Sequence, residues 1–188
     1  VMRSIPNMVI LAPADAEDVK LALRLSVDYK GPVYIRMARQ AMTDLPKSIP
    51  RAKSIGELVP LKGGRDMLVL TYGTMVSRVL EAVNSTELEN DSIGVASAFS
   101  VKPLDGEALK EMCKGYKIVV TVEEHVVSGG LGTAVCEALE ESAVPVRRLG
   151  IQEGVKRVGP YEEILEAYGL SAAALVTSFK EILAVLPA

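Results

Sequence analysis

Short apolar runs that alternate with amphipathic helical stretches constrain this chain more than any other feature of its sequence. Two parallel strands can be joined only through a crossover, and a helix supplies it. The alternation therefore predicts a mostly parallel sheet with helices on both faces. The run MVILA (residues 8–12) suits a buried strand, and Pro13-Ala14-Asp15 ends it while offering Asp15 as a helix N-cap. Val19, Ala22, Leu23, Ser26 and Val27 recur at helical spacing until Lys30-Gly31-Pro32 ends that helix. PVYIRMA (32–38) follows as a strand, with Tyr34 read as a packing residue. Residues 1–45 thus hold a partial β-α-β unit, two strands of a sheet whose other strands are missing, and an exposed sheet edge is expected. The opening residues Val1 to Asn7 read as the middle of a domain, so a fragment is expected.

Residues 46–65 carry Pro46, Pro50, Pro60 and Gly63-Gly64 without sustained periodicity and read as a linker. Beyond it, residues 66–188 repeat the strand-helix unit. MLVLTYG, SIGVASA, KIVVTV and VPVRRLG are strands. Thr74 is a candidate cap for a helix striped by Met75, Val76, Val79, Leu80 and Val83, and Asp105 for one carrying Ala108, Leu109, Met112 and Cys113 up to Gly115. Residues 129–142 form a helix with Leu131, Ala134, Val135, Ala138 and Leu139 on one face. Pro160 suits the first position of another, and Ser171 caps the last, with Leu175, Phe179, Ile182, Leu183 and Leu186 on one side. The expected fold is a three-layer α/β/α domain with a mostly parallel sheet.

Composition narrows the function. A net charge of -3 provides no cationic field to hold a phosphate backbone, which argues against nucleic-acid binding. No apolar run reaches a membrane-spanning length and no signal-peptide pattern opens the chain, so a soluble cytoplasmic protein is expected. Cys113 and Cys136 lie far apart, each on the apolar side of a predicted helix, and both read as reduced core residues.

Residues 121–132, TVEEHVVSGGLG, leave a buried strand and enter a helix. Glycines let backbone approach a ligand there, and the helix start offers free N–H groups to an anion. As a dinucleotide fingerprint the match is poor: Gly130-x-Gly132 lacks the third glycine, and Glu123 and Glu124 bring negative charge where a pyrophosphate would sit. His125 is the only histidine, which excludes a histidine-rich metal site, and a carboxylate-imidazole contact is its simplest role. One histidine, no Gly-x-Ser-x-Gly elbow and no P-loop remove the hydrolase and kinase readings. Arg36 and Arg39 sit at the C-terminal end of PVYIRMA, the end that lines ligand crevices in open α/β sheets. A guanidinium there suits a phosphate or carboxylate, or an ordinary ion pair.

IPNMVILAPADAEDVKLAL, GPVYIRMARQ and TVEEHVVSGGLGTAVCEAL, in this order, resemble the last third of a transketolase, and the resemblance runs nearly end to end. It implies the end of a pyrimidine-binding domain (1–45), a linker (46–65) and the C-terminal domain (66–188). It also implies a thiamine-diphosphate-dependent homodimer that transfers a two-carbon ketol group between sugar phosphates. The cofactor and its magnesium ion would be held by an upstream region or subunit, so this piece alone would bind neither and carry no catalytic residue. Arg39, followed by Gln40, matches the family's arginine for the sugar-phosphate substrate. Glu123, Glu124, His125, Gly129 and Gly130 match a loop expected near a dimer or domain interface, or at a regulatory site. The block GPVYIRMARQ resembles transketolases more than their relatives, but TVEEH followed by GGLG is shared with 1-deoxyxylulose-5-phosphate synthase and the beta subunit of a 2-oxoacid dehydrogenase, which stay open. A non-enzymatic dimerisation or regulatory module is the reading from a different class.

Overall fold

The computed structural model describes residues 1–88, 92–152, 154 and 157–187. Among these residues the strands β1 (Val9–Leu11), β2 (Val33–Ile35), β3 (Val59–Lys62), β4 (Met67–Thr71), β5 (Ile93–Ser97), β6 (Ser100–Lys102), β7 (Ile118–Val126) and β8 (Val146–Ile151) form two sheets. The helices are α1 (Ala16–Asp28), α2 (Met75–Val83), α3 (Gly106–Cys113), α4 (Leu131–Ala138), α5 (Tyr161–Ala167) and α6 (Ala172–Ala184).

The larger sheet has the order β3-β5-β4-β7-β8; all its pairs are parallel except β3 with β5. Residues of β4 and β5 are buried throughout, as strands covered on both faces must be. One face packs through Val69, Val95 and Val120 against Met75, Val79, Leu175 and Phe179 of α2 and α6. The other packs through Leu68, Leu70 and Val119 against Leu109 and Cys113 of α3 and Leu131 and Val135 of α4. The expected three-layer α/β/α arrangement is present.

Local signals placed most helices correctly. Asp15, Asp105 and Ser171 accept the N–H of Asp18, Ala108 and Ala174, respectively. Thr74 does not cap α2: its hydroxyl donates to Glu124 instead. Pro160 stands at the N-cap of α5, one residue earlier than expected, and α4 is shorter than its apolar stripe suggested. Within residues 46–65, Val59–Lys62 form β3, antiparallel to β5. Pro60 hid this strand from view, and it is tolerated because β3 lies at the sheet edge, where a missing N–H breaks no ladder.

On α1 the buried face is Asp18 and Ala22, flanked by Leu21 and Leu25, which pack against Val9, Leu11 and Phe99. Leu23 and Val27 face outward at 55% and 81% exposure, contrary to the stripe drawn from spacing. Two apolar faces one residue out of phase share Ala22 on this helix, and the sheet took the one flanked by Leu21 and Leu25 and left Leu23 and Val27 outside. Tyr34 is also partly exposed rather than packed, and β2 ends at Ile35, leaving Arg36 and Arg39 in irregular backbone.

The edge expected at the partial β-α-β unit is paired on one side. A smaller sheet with order β2-β1-β6 forms because β6 lies antiparallel on β1. After β5 the chain passes through Ala98 and Phe99, both buried, and reaches the other sheet within two residues. The Lys102 ammonium adds hydrogen bonds to the carbonyls of Arg3 and Ile5, 2.7 Å each.

Cys113 is buried, and burial pushes its thiol up to about 11; Cys136, expected in the core, is exposed on α4. A maleimide should modify one thiol of the native protein at Cys136 and reach Cys113 only after unfolding. Mass spectrometry showing two native modifications, or none, would contradict this placement.

Candidate functional site

The C-terminal ends of β4 and β7, together with the segment after β2, meet on one crest of the molecule. The Arg36 backbone N–H donates to Leu11 at 2.8 Å, continuing the ladder one residue past β2. Its guanidinium lies over the Tyr72 ring, 5.5 Å from the centroid, and donates to the Glu124 carbonyl at 2.8 Å. Tyr72 is buried, and burial pushes its phenol up. Arg36 is thus a fixed strut. Arg39, three residues on, is exposed and makes no ion pair among the described residues.

The neighbouring residues Glu123 and Glu124 point to different tasks, because successive side chains on a strand alternate faces. Glu124 accepts hydrogen bonds from the Thr74 hydroxyl at 2.9 Å and the Tyr161 hydroxyl at 2.5 Å, tying β7 to α2 and α5. Burial, reinforced by the bond to Glu124, raises the Tyr161 pKa. Arg78 stacks on the same Tyr161 ring and pairs with Glu162 at 2.6 Å.

Glu123 is fully buried, and its carboxylate accepts the N–H of Leu131 at 2.8 Å and of Gly132 at 2.9 Å. It caps α4 from a strand eight residues upstream, while the N-cap position itself is Gly130. Glycine is required there: a Cβ on Gly130 would lie 1.9 Å from Glu123 Oε2. One on Gly132 would meet the Arg148 side chain at 2.6 Å. Burial raises the Glu123 pKa, and the two N–H donors offset only part of that. The helix-start amides that the sequence offered to an anion are therefore already used by a carboxylate of the chain.

Among the described residues His125 makes no bond to a carboxylate. Its ring Nδ1 lies 2.7 Å from the Val126 carbonyl and the side chain is exposed. Gly129 is exposed with φ +79, and its carbonyl accepts from Arg3 at 3.1 Å. Among the described residues no group of three His, Cys, Asp or Glu side chains could hold a metal ion. With the glycine turn filled by Glu123, these residues do not fit a diphosphate and its divalent metal. Among the described residues no helix is long and apolar enough to cross a membrane.

Sequence reasoning missed the ion cluster beneath the β1–α1 turn. Asp15 is 1% exposed and receives both Arg51 nitrogens, at 2.7 and 2.6 Å, besides the N–H of Asp18 and Leu45. Arg51 also reaches Asp18 at 2.9 Å. Burial pushes the Asp15 carboxyl up, but the bonds from Arg51, Asp18 and Leu45 outweigh it and hold its pKa below the ordinary value. An arginine among prolines was the only sign of it.

The model for "Transketolase, C-terminal domain" matches residues 56–175, and that for "Transketolase, pyrimidine binding domain" matches residues 1–44. The chain is 34% identical over 184 residues to a transketolase C-terminal section from Methanocaldococcus jannaschii, covering 96% of this chain and 57% of that protein. It is 35% identical over 187 residues to 1-deoxy-D-xylulose-5-phosphate synthase from Carboxydothermus hydrogenoformans, covering 98% of this chain and 30% of that enzyme. A solved split-gene transketolase, described as an inactive beta4 tetramer, superposes with a TM-score of 0.87 at 34% identity. That superposition covers 99% of this chain and 61% of the other. The chain thus spans between about a third and three fifths of these relatives, and with its C-terminal-domain match it belongs to the transketolase family.

Proposed function

We propose that this chain is the C-terminal part of an enzyme that moves a two-carbon ketol group from a ketose phosphate to an aldose phosphate. Thiamine diphosphate, held with magnesium by an upstream region or a separate subunit, supplies the carbanion chemistry. This chain contributes assembly and part of the grip on the substrate phosphate, and alone it is inactive and binds no cofactor. The working enzyme is a cytoplasmic homodimer in this reading, and the loop from Glu123 to Gly130, with His125 and Gly129 exposed, orders its interface.

The observation that carries the reading is the placement of Arg39. An exposed guanidinium without an ion-pair partner among the described residues stands just past the C-terminal end of a parallel strand, where ligands of open α/β sheets bind. Its neighbour Arg36 is already committed to Tyr72 and Glu124, so Arg39 is the one left to meet a phosphate.

In the complete enzyme, Arg39→Ala should raise KM for a phosphorylated acceptor about 10- to 100-fold, the loss of one charge-assisted contact. Thiamine diphosphate affinity by calorimetry should not change. Equal losses with an unphosphorylated acceptor would remove Arg39 from phosphate recognition. The second reading, 1-deoxyxylulose-5-phosphate synthesis, is favoured by the relative from Carboxydothermus, which aligns over nearly the whole chain. Donor and acceptor assays on the complete enzyme separate the two.

A further inference from the structure

The strand β8 ends the larger sheet with only β7 beside it. Val119 donates to the Pro145 carbonyl and Val127 to that of Ile151, so residues 145, 147, 149 and 151 direct their backbone groups toward β7. By the two-residue alternation of a strand, Val146, Arg148 and Gly150 direct theirs outward. Among the described residues no backbone group pairs with these three rungs. The strand's own side chains are also only half covered: Val146, Leu149 and Ile151 are partly buried, whereas the inner strands β4 and β5 are buried throughout. A groove of about 480 Å³ runs along this edge, with Val127 on one flank and Tyr168, Leu170 and Ser178 on the other.

Charge decides what could occupy it. Arg147 and Arg148 project from opposite faces of the exposed strand. Arg147 makes no hydrogen bond or ion pair among the described residues, and Arg148 reaches only the Val127 carbonyl at 3.3 Å and the Thr133 hydroxyl at 3.5 Å. Among the described residues no carboxylate forms an ion pair with either, and the charge of Arg148 is felt only by the buried Glu123, which is already bonded to the start of α4. A second copy pairing antiparallel on the same strand would bring four guanidinium groups together, which like-charge repulsion opposes. We infer that the β8 edge receives an extended, acidic segment of another polypeptide, which adds a strand to the sheet and sets its carboxylates on Arg147 and Arg148. Backbone bonds supply the attachment and the arginines supply the choice of partner.

The test uses a fluorescein-labelled seven-residue peptide with Glu-Glu pairs set between Val or Thr residues, so that carboxylates stand on both faces of the added strand, read by anisotropy at low salt. The acidic peptide should bind saturably, a version with Lys in place of Glu at least about tenfold more weakly, and an N-methylated acidic version, which cannot donate to the ladder, also at least about tenfold more weakly. The double variant Arg147→Glu/Arg148→Glu, both positions being exposed, should keep the fold and prefer the Lys peptide. Hydrogen exchange at the amides of Val146, Arg148 and Gly150 should slow with the acidic peptide bound. No binding up to millimolar peptide would mean that the arginines only protect the edge from pairing. Equal binding of the N-methylated peptide, or full displacement by millimolar inorganic phosphate, would reduce the site to a charged patch. Dimers through β8 would assign the edge to a second copy instead.

Discussion

Replacing Glu123 by alanine should lower the unfolding free energy by about 3–5 kcal/mol, since two charge-assisted bonds disappear and two N–H groups at the start of α4 lose their partner. The carboxylate is fully buried, so water cannot simply take its place without entering the packing around Gly130 and Gly132. Glu123→Gln keeps the volume, but its amide nitrogen would face one of the two N–H donors, and it should cost about 2–3 kcal/mol. For a chain of this length each kcal/mol corresponds to a shift of about 2–4 °C in Tm. Urea unfolding followed by circular dichroism measures both variants. A loss below about 1 kcal/mol for the alanine variant would show that α4 needs no cap from the strand.

The second large effect lies under the β1–α1 turn. Asp15→Asn should cost about 3 kcal/mol, at the lower end for breaking a buried pair, because Arg51 is a quarter exposed and keeps Asp18. In a double-mutant cycle with Arg51→Met the two losses should overlap by about 2 kcal/mol; simple additivity would mean that the pair does not act as a unit. The same residue sets a pH signature. Its folded pKa is below the ordinary 3.8, so the ionised form is favoured in the native state. That stability is fully present above about pH 4 and is lost as pH falls through the lower, folded value. Glu123 has the opposite sign: burial raises its pKa, so its protonation favours the native state and its contribution improves as pH falls. Asp15→Asn should therefore flatten the acid limb of stability below pH 4, whereas Glu123→Gln should not. An unchanged acid limb in Asp15→Asn would place the sensitivity elsewhere.

These two carboxylates also mark where sequence reading succeeds and where it stops. Asp15 was legible as a cap because a cap acts on residues two or three positions ahead, within the reach of a local pattern. Its partner Arg51 lies 36 positions away, and no local pattern carries that distance. Glu123 was visible as a residue but not as a cap, since strand and helix had to be brought together before its carboxylate met Leu131. Apolar runs identified the inner strands β1, β4, β5 and β7, which are buried on both faces and so read as continuous. β3 escaped because an edge strand tolerates Pro60, which elsewhere argues against a strand. On α1, Leu23 and Val27 formed as good a stripe as Leu21 and Leu25, and only the position of the sheet separates them. The exposure of Cys136 is a similar case, since it stands one position past Val135, off the face of α4 that buries Leu131, Ala134 and Val135.

The pairing of β6 on β1 has a consequence for how such an enzyme can move. The two stretches that match separate family domains are woven into one sheet here, and they are further pinned by Lys102 on Arg3 and Ile5 and by Arg36 on Glu124, while Arg51 on Asp15 ties the connecting segment down. Residues 46–65 consequently act as a strap across joined sheets and not as a hinge, so the two stretches can only swing together, as one lever.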